Sequence, residues 1–412
     1  MKQVGRFFLE KILAGLARLL ILRYKPLIVA VSGSAGKTSA KEAMYLALLG
    51  NEFGVVRRTK KNYNTELGLP LTILSEREPR GVGSWMLIVL EGLARLIFFH
   101  SKYPKILILE YGADRPGDIE KLLRIVKPQI SVLTAIGAQP VHMGNYPDGR
   151  EGVIVEKGRL ANVLSKNDTL IINGDDEALR RIAKKSKAKV ITYGYGEGAA
   201  VRGIHYEVMR EGVEVMVSFK VEIGRRVIPI KITGAYSEAH ILSVLAALSL
   251  VEALQGNTVE AATRLELFRP MTGRGRVFVS YQDILLVDEA YNASPIAMQL
   301  AILGVEKIFA KRKIAVLGEM KELGEAAAEA HRFVGQMAAN VFTMIVVVGA
   351  EMASEIVKGA RKGGMAEKDI FEVKTVKEAK ELVIKKIKKG DMLFVKGSRS
   401  VGLEKMVESF EN

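Results

Sequence analysis

Residues 27–44 read LIVAVSGSAGKTSAKEAM. An aliphatic strand pattern, Leu27–Val31, breaks into Ser32-Gly33-Ser34-Ala35-Gly36-Lys37-Thr38-Ser39 and then turns helical. Two glycines, a lysine and two hydroxyls between a buried strand and a helix suit a phosphate. Glycines let backbone N–H groups close around an anion, and the helix N-terminus adds its dipole. Lys37 reaches outer phosphates, and Thr38 or Ser39 supplies a hydroxyl to magnesium. The spacing, G-x-x-G-K-[ST], is shorter than the general P-loop.

A chain of 412 residues with 49% hydrophobic content can build two or three cores. It carries no internal repeat and no low-complexity tract. Cysteine is absent, which excludes disulfides and thiolate metal sites and fits a reducing compartment. A net charge of +15 calls for an anionic partner: nucleotide, acidic substrate, nucleic acid or membrane surface. The cations are scattered, without zinc-finger spacing or aromatic–basic interleaving, and this argues against nucleic acid.

Residues 1–26, MKQVGRFFLEKILAGLARLLILRYKP, form an amphipathic pattern. Leu9, Ile12, Leu13, Leu16 and Leu20 fall on one side of a helical wheel, with Lys11, Arg18 and Lys25 on the other. The run is too short, and too interrupted by Arg18, to span a bilayer, and no signal-cleavage site follows. Two readings stay open: the helix packs on its own domain, or it lies on an anionic membrane surface.

From Leu27 to about Pro270 strands and helices alternate, the pattern of a parallel α/β sheet. Strand candidates are Leu27–Val31, Ile106–Leu109, Ile130–Ile136 and Leu170–Ile172. Segment 201–233 reads as short antiparallel strands, and helix returns at Ser237–Ala253. A second α/β unit begins with Lys313–Leu317 and continues through Met344–Val348 and Met392–Val395 to a final helix. The expected architecture is α/β: a P-loop ATP-binding central domain (27–310), then a smaller Rossmann-like domain (311–412). Stretch 81–103 is an apolar helical insertion with one Glu91–Arg95 pair, read as core or partner-facing.

Three further positions attract attention. Glu110 ends a strand, where α/β proteins bind ligands and where magnesium would find an oxygen ligand. His142 follows another strand candidate. Lys157, in Glu156-Lys157-Gly158, sits on a helical stretch and would ordinarily face solvent.

Taken in order, the motifs resemble those of the Mur ligase family, ATP-dependent amide-bond ligases of peptidoglycan synthesis. The resemblance runs from about Ile28 to the C-terminus. It is carried by SGSAGKTS (32–39), KNYNTELGLPLTIL (61–74), LEYGADRPGDI (109–119), PMTGRGRV (270–277), VDEAYNASP (287–295), VLGEMKELGEAAAEAH (316–331) and VKGSRS (395–400). Several favour the branch that adds D-alanyl-D-alanine to a muramyl tripeptide.

The resemblance implies an acyl-phosphate mechanism with ATP and Mg2+, a muramyl-peptide acceptor and a dipeptide amine, in the cytoplasm or at the inner face of its membrane. It implies that Gly33, Ser34, Ala35, Gly36, Lys37, Thr38 and Ser39 cradle ATP. Thr38, Glu110 and His142 would serve the metals. Lys157 would be a carbamylated lysine supporting one of them. Arg274 would contact phosphate, Asp288 the ribose, and Tyr291 and Asn292 would lie along the nucleotide. Asn62, Asn64, Thr65, Lys321, Glu322, His331, Lys396 and Ser398 would serve the substrates.

Departures are also visible. The D-alanyl-D-alanine-adding branch starts with a domain holding UDP, whereas here the P-loop strand begins at Leu27, so that domain is expected to be absent. In TGAYSEAHILSVLAA (233–247), His240 stands where an adenine-contacting Asn is expected, so the base contact is expected to change.

Overall fold

The computed structural model describes residues 3–50, 53–60, 63–75, 77–79, 81–98, 100, 102–280 and 282–411. Asn62 and Phe99 lie outside them. The chain divides into two compact units, one of Met1–Ala135, Glu151–Arg202 and Ser243–Arg264, the other of Ile136–Arg150, Gly203–Leu242 and Leu265–Asn412.

The first unit opens with helix α1 (Gln3–Tyr24), strand β1 (Leu27–Ser32) and α2 (Lys37–Ala47). There follow β2 (Val56–Arg58), α3 (Gly68–Leu74), α4 (Val82–Ile97), β3 (Ile106–Glu110), α5 (Asp118–Ile125) and β4 (Ile130–Leu133). After α6 (Gly149–Asn162) come β5 (Thr169–Asn173), α7 (Glu177–Lys185) and β6 (Lys189–Gly194). The six strands pair in parallel in the order β2-β3-β1-β4-β5-β6. The residues of β1, β3, β4 and β5 are mostly aliphatic and buried on both faces, as a parallel sheet covered by helices requires. The strand order reverses beside β1, so the carboxyl ends of β3, β1 and β4 open the crevice where such sheets take ligands.

Strand β4 stops at Leu133, short of the expected Ile136, because Thr134 turns onto the glycine-rich loop. Helix α1 buries Leu13, Leu16, Ala17 and Leu20. Ile12, expected with them, faces outward. A Cβ on Gly92 of α4 would come within 3.9 Å of Leu16, and the Tyr24 hydroxyl donates to the Arg95 carbonyl at 2.8 Å, so α1 and α4 lie side by side.

Strand β7 (Val201–Glu211) starts in the first unit and runs on into the second, where β8 (Glu214–Ile223) and β9 (Arg226–Thr233) form an antiparallel pair. Helices α8 (Glu238–Ala253) and α9 (Thr258–Leu265) follow. The second unit then adds β10 (Arg276–Val279), β11 (Leu285–Glu289), α10 (Pro295–Glu306), β12 (Lys313–Gly318) and α11 (Ala327–Val341). It closes with β13 (Met344–Val348), α12 (Ala353–Lys362), β14 (Ile370–Val373), α13 (Val376–Lys386), β15 (Met392–Lys396) and α14 (Glu404–Glu411). Its sheet runs β10-β11-β15-β12-β13-β14, parallel except for β10. Alternate residues feed two cores: Leu285, Val287, Ala315 and Leu317 on one face, Leu286, Ile314 and Val316 on the other. Two of these strands, β10 and β11, precede residue 311, where the sequence places the start of the last domain. Strand β11 joins because Asp288 pairs in register with Val395.

Candidate active site

In the first unit the glycine-rich loop leaves β1 with Gly33 at φ 151° and Gly36 at φ 81°, and α2 starts at Lys37. Side chains rarely adopt these angles, so glycine is needed for the turn. The loop is pinned from β4: Thr134 Oγ1 donates to the Ala35 carbonyl at 2.5 Å, and Ser34 N–H donates to the Ala135 carbonyl at 2.6 Å. Lys37 curls back, its Nζ donating to the Gly33 carbonyl at 2.7 Å. The buried Ser34 hydroxyl has no hydrogen-bond partner among the described residues.

Glu110, the last residue of β3, is buried at the same edge. Thr38 Oγ1 donates to its Oε2 at 3.2 Å, and Asn64 Nδ2 donates to its Oε1 at 3.3 Å. Lys41 Nζ lies 3.5 Å from Oε2, fully buried one helical turn along α2. Lys41 was not singled out from the sequence. Its signal is its spacing from Thr38, which puts both on the same face of α2. Thr65 lies nearby in sequence, its hydroxyl accepting from Gly68 N–H at 3.4 Å.

Glu156, Lys157 and Gly158 are buried, against the expectation of a solvated face. Glu156 accepts from Gly117 N–H at 3.0 Å and Ile119 N–H at 2.7 Å, holding the start of α5. Burial, aided by the Lys37 charge, pulls the Lys157 ammonium down to about 7, with Asp114 and Glu156 opposing. Lys37 and Lys157 therefore feel each other, with Thr38 and Glu110 alongside. An amine, a hydroxyl and a carboxylate at the start of α2 can hold a polyphosphate and one hard cation. The oxygen donors suit magnesium, and the orphan Ser34 hydroxyl suits a phosphate oxygen. Among the described residues no group of three His, Cys, Asp or Glu side chains could hold a metal by itself. A cation here would share its coordination with phosphate.

The second unit holds the remaining candidates. His142 has φ 65°, and its Nδ1 lies 2.9 Å from Glu322 Oε2, with its N–H donating to the Glu322 carbonyl at 3.0 Å. The expected metal residue and an expected substrate residue are thus partners of each other, whereas Glu110 belongs to the first unit. His331 is fully buried: Nε2 accepts from Met320 N–H at 2.8 Å, and Nδ1–H donates to the Ala327 carbonyl at 2.6 Å. Burial lowers its pKa. Its two ring nitrogens, both bonded to backbone, shape the 320–327 turn. Ser398 accepts from Lys321 N–H at 3.0 Å, and Lys321 pairs with Glu319 and Glu351 at 2.9 Å each. Lys396 is buried too, donating to Glu289 Oε2 at 2.9 Å and to the Asn292 carbonyl at 3.0 Å. Glu289, another residue missed from the sequence, also accepts from the Tyr236 hydroxyl at 2.9 Å.

His240 and Asp288 brace the Gly-Arg loop. The Asp288 carboxylate accepts from Gly273 N–H at 2.6 Å and Ala290 N–H at 3.2 Å, and burial raises its pKa. His240 Nδ1 faces Ser237 N–H at 3.3 Å, so the ring proton sits on Nε2 and points to the Arg274 carbonyl, 3.3 Å away. Burial lowers its pKa and keeps it neutral. Asp288 was expected on the ribose, and His240 at an altered base contact. In the structure their polar atoms are spent holding residues 273–275. Arg274 stacks on Tyr291 at 4.0 Å, with Arg399 on the same ring at 5.3 Å. The Asn292 side chain accepts from Ala293 N–H at 2.9 Å.

Comparisons with known proteins agree with this layout. Residues 31–248 match the Mur ligase middle domain, and residues 273–399 match the Mur ligase glutamate ligase domain. The UDP-N-acetylmuramoyl-tripeptide–D-alanyl-D-alanine ligase of Treponema pallidum is 28% identical over 382 residues, covering 92% of this chain and 73% of that protein. The Bacillus subtilis enzyme of the same name is 28% identical, with 92% and 75% covered. The crystal structure of the MurF ligase from Thermotoga maritima in complex with ADP superposes with a TM-score of 0.79 at 28% identity, covering 98% of this chain and 83% of that one.

Proposed function

This chain belongs to the Mur ligase family, and we propose that it is an ATP-dependent ligase joining D-alanyl-D-alanine to a muramyl tripeptide. The observation that carries the reading is the cluster at the carboxyl edge of the first sheet: Lys37 over its loop, Thr38 on Glu110, and buried Lys157 within reach of the Lys37 charge. Relatives that carry this activity by name, and a neighbour crystallised with ADP, support it.

A carboxylate is a poor electrophile, so its oxygen first attacks the γ-phosphorus of ATP and ADP leaves. The amine nitrogen of the dipeptide then attacks the acyl carbon. Phosphate departs with the former carboxylate oxygen, and the nitrogen gives up a proton. Lys37 and the loop N–H groups neutralise charge on the transferred phosphoryl group, and the pinned loop keeps it in line. Magnesium, held by Thr38 and Glu110, would add charge neutralisation across the phosphates.

Lys157 at about 7 carries a large neutral fraction at physiological pH. A neutral amine adds to the carbon of CO2 and releases a proton, so Lys157 would become a carbamate. That exchange places an anion opposite Lys37 and relieves the repulsion between the two cations. In the second unit, Arg274, presented by His240 and Asp288, would meet phosphate, and Tyr291 and Asn292 would follow the nucleotide. Asn64 and Thr65 would border the acceptor, and Lys321 and Ser398 the amine. The reaction draws on ATP, which supports a cytoplasmic setting for it.

The test is ADP release. UDP-linked muramyl tripeptide and D-alanyl-D-alanine together should raise it at least about tenfold over either alone. Equal release without the dipeptide would refute the ligase reading, and release with a folate acceptor in place of the muramyl peptide would move the chain to another branch.

A further inference from the structure

Helices α1 and α4 each bury one face and leave a second apolar face outward. On α1 the outward stripe is Phe8, Ile12, Leu19 and Leu22, repeating at three, four and seven residues, so all four share one line. Leu22 is 70% exposed. On α4 the outward stripe is Met86, Leu90, Leu93 and Ile97, with Leu90 52% and Ile97 69% exposed. The charged residues of α4, Glu91 and Arg95, pair with each other at 2.5 Å, and Arg95 also bonds the Leu74 carbonyl. The outward face of α4 therefore carries no charge. Leu16 approaches Gly92 and Tyr24 bonds Arg95, so the helices run in the same direction and their outward stripes lie in one neighbourhood.

The rim of this surface is basic. Lys11, Arg18 and Lys25 are spaced by seven residues, two helical turns, and form a row beside the apolar stripe of α1. Glu10 is the only acid in residues 3–25, against five cations. A second copy seated on the same surface would bring its own row of cations to the same seam, which disfavours that occupant. An anionic bilayer satisfies both features, apolar side chains entering the acyl boundary and cations meeting headgroups. Crossing is not the mode. No helix among the described residues is long and apolar enough to span a membrane.

We propose that the α1–α4 face docks this protein on an anionic lipid bilayer. The inference is independent of the ligase reading, since none of these residues belongs to the candidate active site. The test is flotation of the full chain with vesicles of phosphatidylglycerol and phosphatidylcholine, against phosphatidylcholine alone. Wild type should float with the anionic vesicles at low ionic strength and only weakly with the neutral ones. Leu90→Glu with Ile97→Glu should cut the floated fraction about tenfold. Arg18→Glu with Lys25→Glu should do the same. Leu19→Glu with Leu22→Glu, on the other helix, gives an independent pair should the first fail to fold. Circular dichroism should show native helix content in these variants, because the sites are exposed. No flotation of wild type, or flotation unchanged by the folded variants, would overturn the proposal. So would a dimer, seen by light scattering, that the same substitutions convert to monomer without any vesicle binding.

Discussion

Lys37 and Lys157 feel each other's charge, and their chemistry differs because their surroundings differ. Lys37 is bonded to its own loop, so on the proposed function Lys37→Ala would remove a phosphate ligand without opening a core. Ligation, followed as ADP release, should fall by a factor on the order of a hundred or more with the melting temperature little changed. Lys157 is buried, and its folded pKa, about 7, lies below the ordinary lysine value. Between those two values the unfolded chain binds more protons than the native one, so stability rises with pH across that window. Lys157→Met should flatten that rise in denaturant titrations taken from pH 7 upward. A slope as steep as wild type would contradict the assignment. The same residue marks where sequence reading stopped. Motif order pointed to Lys157 as functional, yet its burial depends on chain segments far away in sequence. His142 illustrates the same limit. Its pairing with Glu322 joins two loops 180 residues apart, both at positive φ, and no local pattern announces it.

At the scale of elements, the glycine-rich loop was legible because its chemistry is written in consecutive residues, whereas sheet membership is not. Strands β10 and β11 fall within the region read as central, but β11 pairs with β15, more than a hundred residues on, and β10 joins through β11. The Gly-Arg loop shows how much such non-local support matters. Asp288→Ala would strip the acceptor from Gly273 and Ala290 N–H groups, and the protein should lose about 1–3 kcal/mol in denaturant unfolding. Amide exchange at residues 273–275 should speed up, while that of the first sheet stays unchanged. Helices α11 and α12 offer a sharper case. A Cβ on Gly359 would clash with the Arg332 backbone, and one on Gly335 with that of Ile356. Gly359→Ala should therefore cost about 1–3 kcal/mol by forcing the two helices apart. An unchanged unfolding midpoint would show that the two helices can part without cost.

For the whole molecule, two sheets divide the work. The first carries Lys37, Thr38 and Glu110 at the carboxyl ends of its strands, with Lys157 buried on α6, and the second presents Arg274, Tyr291 and Lys321 on loops braced by buried His240, Asp288, His331 and Lys396. The central strands of both sheets, β1, β3, β4, β5, β12, β13 and β15, were foreseeable from alternating strand and helix patterns because they are mostly aliphatic, whereas β2, with Arg57 and Arg58, was not. The bracing residues were foreseeable as polar positions in motifs but not as braces, since a motif names a residue without naming what it touches. The central claim is that ATP activates a carboxylate for attack by an amine, and it predicts the path of one oxygen atom. With the acceptor carboxylate labelled with 18O, turnover in the presence of D-alanyl-D-alanine should place one labelled oxygen in each phosphate released. Phosphate released without label, at the same yield of ADP, would mean that water rather than the carboxylate attacks ATP and would contradict the account.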